Sequence, residues 1–443
     1  MTTRNHDVNS KGNLTINGVD TTYLAEKYGT PLYVYDVEDI CIRANAFKEA
    51  FEKEGIQYQV AYASKAFSCV AIVQLMDELG LSLDVVSGGE LYTALEAGFP
   101  PERIHFHGNN KSPDEIEMAV KAGIGCFVVD NFHELTWLTG ITQTLETSMK
   151  VLLRITPGVE AHTHEYISTG QEDSKFGFDI TSGQAEKAIA QVLDEDRLEL
   201  LGVHCHIGSQ IFETSGFVSA VDEIFNHLQE WRENTGFTPE VVNLGGGFGI
   251  RYNEDDTPLP LGHYVEAMVR SVKEHAEAKD FPIPEIWIEP GRALVGEAGT
   301  TLYTVGSRKS IPGVRDYVSV DGGMTDNLRP ALYQAKYDAI VANKAQKEKT
   351  ETVSIAGKCC ESGDMLIWDV DTPVLEQGDI LAVPSTGAYG YSMANNYNRI
   401  QRPAVVFLNN KSDQCVIERE TYANMTRLDR PWKKTEAKTK VYS

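Results

Sequence analysis

A lysine among small and apolar neighbours can lose its proton readily enough to attack a carbonyl and form a Schiff base. Lys65 stands in such a setting, Tyr62-Ala63-Ser64-Lys65-Ala66. Four further runs carry residues able to do chemistry: His107-Gly108-Asn109-Asn110, His204-Cys205-His206-Ile207-Gly208-Ser209-Gln210, Gly245-Gly246-Gly247-Phe248-Gly249 and Glu289-Pro290-Gly291-Arg292. Consecutive glycines let backbone N–H groups approach a phosphate with no Cβ in the way. The His206 ring suits stacking on a flat cofactor, and Glu289 suits holding the ring nitrogen of such a cofactor protonated. Each feature has a plainer reading: a solvated lysine, a tight turn, a core histidine, a loop-capping carboxylate.

Two histidine pairs raise metal binding. His162-x-His164 and His204-x-His206 each put two imidazoles on one face of an extended chain. A metallohydrolase built on a β/α barrel wants such a pair on its first strand and an Asp on its last. Here the pairs come late and Glu289 stands in the place of that Asp, so no metal is expected.

The elements that position these residues follow from hydrophobic period. Short β-branched runs at 58–62, 82–86, 104–107, 126–130, 151–155, 200–205, 241–244 and 286–289 alternate with apolar patterns at helical spacing. Val70, Ile72, Val73, Leu75, Met76 and Leu79 form one such pattern. Phe217, Val218, Val221, Ile224, Phe225, Leu228 and Trp231 form another. Eight strands with intervening helices are what a parallel (β/α)8 barrel requires, an open doubly wound sheet being the competing arrangement. In a barrel the loops after the strands build the site, and the reactive runs sit at those ends.

From residue 300 the rhythm changes to short strands at 301–305, 317–320, 352–355, 365–368, 380–383, 404–407 and 415–418, separated by Gly, Pro, Asp and Asn turns. This predicts a second, mainly antiparallel β domain, with Pro31–Asp36 as a strand able to join it. The expected partition is a barrel over 37–298 and a β domain from 1–36 and 299–443. The lysine-rich segment from Trp432 to Ser443 is expected to fray.

The composition limits the partners. Among 443 residues, 40 Lys and Arg against 64 Asp and Glu give a net charge of −24. That balance argues against nucleic acid or an anionic membrane as principal partner. No apolar run approaches the ~18 residues of a membrane-spanning helix. The N-terminus lacks the apolar core of a signal peptide. Seven cysteines without C-x-x-C spacing read as reduced thiols in a cytoplasm.

Taken in order, these motifs resemble the fold-type III pyridoxal-phosphate decarboxylases, over about Thr30 to Phe407. Further matching runs are Asp84-Val85-Val86-Ser87-Gly88-Gly89-Glu90-Leu91, Phe106–Lys111, Ser174-Lys175-Phe176-Gly177, Cys360-Glu361-Ser362-Gly363-Asp364 and Gly387-Ala388-Tyr389. His162–Gly170 and Asn327–Tyr333 are similar to segments of the branch acting on diaminopimelate. The resemblance implies an alanine racemase-like fold, a TIM barrel with a β-sandwich or barrel domain. It also implies a carboxy-lyase using pyridoxal 5'-phosphate.

Carried over residue by residue, Lys65 would hold the cofactor as a Schiff base and His206 would stack on its ring. Ser209, Gly245, Gly246, Gly247, Gly291, Arg292 and Tyr389 would surround its phosphate, and Glu289 would pair with the ring nitrogen. Cys360 would protonate the carbanion carbon after carbon dioxide leaves; the motif selects it over Cys359. The implied substrate, meso-2,6-diaminopimelate, carries an amino-carboxylate at each end, and its product would be L-lysine, at the last step of lysine biosynthesis. Arg292 and Arg329 would take the distal carboxylate, Glu361 the distal ammonium, and Tyr333 and Tyr389 would add hydroxyl contacts. The family also implies a homodimer in which Cys360 and Glu361 reach into the partner's site. Relatives acting on D-ornithine, D-lysine or carboxynorspermidine share many of the motifs, and a non-catalytic relative would be expected to lack Lys65 or Cys360.

Overall fold

Strands start at the β-branched runs or within two residues before them. In the computed structural model, which describes residues 6–159 and 174–432, eight parallel strands span Tyr58–Ala63, Ser82–Val85, Ile104–Phe106, Cys126–Val129, Met149–Thr156, Leu198–His204, Val241–Asn243 and Glu285–Ile288. Each pairs with the next, and the last closes on the first with Ile286 opposite Tyr58 and Ile288 opposite Val60. The sheet is therefore a closed barrel, not an open one. Val86, His107, Asp130, Cys205, Leu244 and Glu289, expected as strand ends, lie one residue beyond, where the chain leaves the ladder for the site loops.

The helical patterns fold as their spacing predicts. Val70–Glu78 buries Ile72, Val73 and Met76, and Ser215–Thr235 buries Phe217, Val221, Ile224, Phe225, Leu228 and Trp231. Each such side chain removed from water contributes about 1.5–3 kcal/mol. A separate apolar cluster of Cys126, Val128, Leu152, Leu201, Val241 and Trp287 fills the lower barrel interior. Because side chains alternate along a strand, the next inward positions towards the C-terminal ends are Asp84, Asp130, Arg154, His204, Asn243 and Glu289. The barrel thus changes from apolar to ionisable one layer below its mouth.

The second sheet holds Leu32–Asp36, Gly299–Ile311, Arg315–Val320, Glu351–Ala356, Met365–Thr372, Ile380–Val383, Ala404–Asn409 and Ser412–Ile417. Its pairings are mainly antiparallel, with two parallel exceptions: Leu32–Asp36 beside Ala404–Asn409, and Arg315–Val320 beside Glu351–Ala356. The expected strand 301–305 is the front half of the longer Gly299–Ile311. That half pairs with Leu32–Asp36 and Ile380–Val383, and after a register shift the rest pairs with Arg315–Val320. One strand so serves both faces of the domain.

A small sheet of His6–Val8, Leu14–Ile16 and Val19–Asp20 was not expected from the pattern. Its signal was present, because Asn17-Gly18 between Ile16 and Val19 is a two-residue hairpin turn with φ of 48° and 74°. Among the described residues no helix is long and apolar enough to cross a membrane. His162 and His164, and the tail beyond Trp432, lie outside the described residues.

Candidate active site

Lys65 lies in the single turn Ser64–Ala66 that follows the first barrel strand. The β domain pins this turn. The Tyr389 N–H donates to Ala66 O at 2.8 Å, and the Ser392 hydroxyl donates to the carbonyls of Ala66 and Lys65 at 2.9 and 3.1 Å. Phe67 stacks on Tyr35 with centroids 4.5 Å apart. A fixed backbone so carries an exposed lysine side chain into a cavity of about 1430 Å³ at the barrel mouth. Lys111, by contrast, is spent inside the protein. Its Nζ donates to Glu134 Oε1 at 2.7 Å and to two backbone carbonyls at 2.9 Å.

The three glycines are required by crowding as well as by any ligand. A Cβ on Gly246 would stand 2.1 Å from Glu289 O, and one on Gly247 would stand 2.3 Å from Gly208 O. Gly245 and Gly247 also hold φ of 67° and 104°, a region that side chains disfavour. The loops after the sixth and seventh strands are zipped together, with Ile211 N–H on Gly247 O and Gly249 N–H on Ile211 O, both at 2.9 Å. Ser209, Gly246, Gly247, Gly291, Arg292 and Tyr389 line one end of the cavity; Gly245 shapes the turn without lining it. Arg292 donates to Ser209 Oγ at 2.9 Å and to the Tyr252 hydroxyl, with its guanidinium 4.8 Å from the Tyr389 ring centre.

Glu289 stands at the cavity floor. Asn243 donates to its Oε1 at 2.6 Å, His107 Nε2 lies 3.1 Å from the same oxygen, and His204 Nε2 lies 3.1 Å from Oε2. Burial opposes ionisation, but His107 and His204 outweigh it and hold the carboxyl well below the usual range. His206 is half-buried and accepts the Gly246 N–H at its Nδ1, at 3.3 Å. Burial, then Lys65 and Arg154, push its pKa well down, which leaves a neutral ring. The two imidazoles of the His204-x-His206 run meet different partners, Glu289 and the Gly246 N–H. His107, His204 and Glu289 bring donor atoms within 4.8 Å of one another; Glu289 shares hydrogen bonds with Asn243 and His204, whereas the buried His107 Nε2 lies close to it without making one.

Towards the rim, the buried Arg329 donates to the Tyr337 hydroxyl at 2.5 Å and packs 4.6 Å from the Tyr252 ring centre. Arg292 lies 5.7 Å from the same ring centre, so Tyr252 packs against two guanidinium groups. Tyr333 lines the cavity beside Arg329. Cys360 and Glu361 do not line it; both are exposed. Their loop winds around Asp364, whose carboxylate accepts N–H groups of Met324 and Cys359 at 2.6 and 2.7 Å. Burial, then Asp364, pushes the half-buried Cys359 thiol up to about 12. Only Cys360 of this pair presents an accessible thiol.

The sequence singled out neither Asp84, Asn243, Tyr252 nor Arg154 as site residues, left His107 without a role and raised His204 only as a metal ligand. The signal for most of them was polarity at the last inward position of a barrel strand. Tyr252 gave none. The residues present fit pyridoxal phosphate at both ends. Backbone N–H groups, a hydroxyl and Arg292 suit a phosphate, Arg292 Nε is buried without a partner, and an ionised Glu289 suits a ring nitrogen.

Residues 37–296 match the pyridoxal binding domain of pyridoxal-dependent decarboxylases. The chain is 65% identical to diaminopimelate decarboxylase of Bacillus subtilis over 96% of its own length and 97% of the relative's. It superposes with a TM-score of 0.92 and 40% identity on diaminopimelate decarboxylase from M. jannaschii in complex with L-lysine, covering 97% of this chain and 99% of that one. A lysine/ornithine decarboxylase from Vibrio vulnificus shares the fold, at 20% identity, a TM-score of 0.73, and coverage of 88% of this chain and 97% of that one. With its barrel matched by that domain and nearly its whole length by these relatives, the chain belongs to the pyridoxal-dependent decarboxylase family, in the branch of the diaminopimelate decarboxylases.

Proposed function

We propose that the protein decarboxylates meso-2,6-diaminopimelate to L-lysine and carbon dioxide with pyridoxal 5'-phosphate as cofactor. The observation that carries this reading is that one cavity unites Lys65, the Glu289 floor, the phosphate-suited end and the buried Arg329. When bound, pyridoxal phosphate supplies an electron sink for the pair left on the α-carbon as carbon dioxide departs. Lys65 holds the cofactor, and Ser209, the Gly246 and Gly247 N–H groups, Arg292 and Tyr389 fix its phosphate. Glu289 keeps a proton at the ring nitrogen, and the neutral His206 covers the ring. Arg329 takes the distal carboxylate, with Arg292, also packed against Tyr252, adding positive potential and Tyr333 a hydroxyl.

Cys360 is exposed and does not line its own cavity, which supports a homodimer in which a second copy supplies it. In that assembly Cys360 delivers the proton to the α-carbon and Glu361 meets the distal ammonium. The division into a barrel over 37–298 and a β domain from 1–36 and 299–443 suits such an exchange. Seven free thiols fit a reducing, cytoplasmic setting. Borohydride reduction of the holoprotein followed by peptide mapping tests the site: the pyridoxyl group is expected on Lys65. Its appearance on Lys111 or Lys175 would overturn the assignment.

A further inference from the structure

We propose that His107 is a positioning residue: standing as a cation between Asp84 and Glu289, it keeps Glu289 ionised towards the cofactor's ring nitrogen. The inference rests on the reading of Glu289 as the partner of that nitrogen. His107 Nε2 is 3.1 Å from Glu289 Oε1 and 3.6 Å from Asp84 Oδ1, and the two carboxylates are only 9% and 5% exposed. Two carboxylates confined in one buried site do not both ionise unless a cation lies between them.

Of the groups that touch the Glu289 carboxylate, no other supplies that charge; Arg154 acts on it from further off and pairs with Asp130 at 3.9 Å. Asn243 brings a neutral amide. Burial, with His107 and Arg154, keeps His204 below its ordinary value despite Glu289. It therefore offers a neutral Nε2–H to Oε2, and its buried Nδ1 has no partner. For His107, burial also opposes the charge, but Glu289 and then Asp84 overcome it and raise the imidazole to about 9. Glu90, on the helix after the second strand, adds a further acidic neighbour, and His105 on His107's own side of the barrel meets Asp84 at 3.4 Å. Asp84, His107 and Glu289 then sum to one negative charge, which a protonated ring nitrogen completes. Without the cation, the proton that belongs on the ring nitrogen is drawn to a carboxylate instead.

The test uses holoprotein loaded with pyridoxal phosphate carrying nitrogen-15 in its ring, and reads the ring-nitrogen chemical shift. The parent is expected to show the protonated position throughout neutral pH. His107→Gln is expected to move the signal towards the unprotonated position, and Asp84→Asn combined with His107→Gln to return it, since removing both charges restores the balance. An unmoved signal in His107→Gln would overturn the inference. Glu289→Gln is the control: if it too leaves the signal unmoved, the reading of Glu289 fails; if it alone moves the signal, only the role of His107 fails. If His107→Gln does not retain cofactor, the double variant decides. Recovery of binding with the parental shift supports charge compensation, and loss of cofactor in both makes His107 purely structural.

Discussion

A thiol exposed on the surface of its own chain and a guanidinium buried in the cavity wall make the sharpest predictions at the scale of single residues. Cys360→Ala removes a proton donor and touches neither the phosphate end nor the Glu289 floor. Turnover is expected to fall by ~10²–10⁴-fold while the cofactor absorbance persists. Arg329→Leu leaves the distal carboxylate of diaminopimelate buried without its cation, at a cost of about 3 kcal/mol or more, on the order of a hundredfold in kcat/KM. Lysine and ornithine lack that carboxylate and are expected to lose far less, so steady-state kinetics on all three checks the assignment. At this scale the sequence was legible where a motif was contiguous, as with Lys65, Gly245–Gly247 and Glu289. It was silent on Tyr252, because what makes Tyr252 matter is the approach of Arg292 and Arg329 from remote parts of the chain.

Among the elements, the loop after the seventh strand is the most constrained. Gly246→Ala would push a Cβ against the Glu289 carbonyl, which stands 2.1 Å from its position. It is expected to lower stability by about 1–3 kcal/mol and to weaken cofactor binding, read by thermal melting with and without pyridoxal phosphate. Gly313, where an added Cβ meets nothing within 4 Å, tests whether crowding or backbone conformation governs, since its φ is 72°. Gly313→Ala is expected to disturb melting only modestly and to leave cofactor binding unchanged. Strand positions were readable to within two residues through the barrel, because β-branched runs and apolar helical faces alternate cleanly there. The extension of residues 301–305 into Gly299–Ile311 was not, because its far half is exposed and polar and carries no alternating signal.

At the scale of the whole molecule, the account requires two chains per working site. Mixing Lys65→Ala with Cys360→Ala protein, each inactive alone, is expected to restore roughly a quarter of parental activity, because half of randomly reassorted dimers regain one intact site of two. No recovery on mixing, under conditions where labelled chains are seen to exchange, would place Cys360 outside the partner's site. Closure of the barrel was legible from the count of strands, whereas the depth of its ionisable layer was not, since it depends on which residues share an inward position. The most direct measurement is turnover of meso-diaminopimelate by purified holoprotein, with carbon dioxide and product configuration read together. The account predicts one carbon dioxide and one L-lysine for each substrate consumed, the L-centre surviving intact, with D-lysine, D-ornithine and L-ornithine turned over poorly. Carbon dioxide released from one of those amino acids while meso-diaminopimelate stays untouched would contradict it.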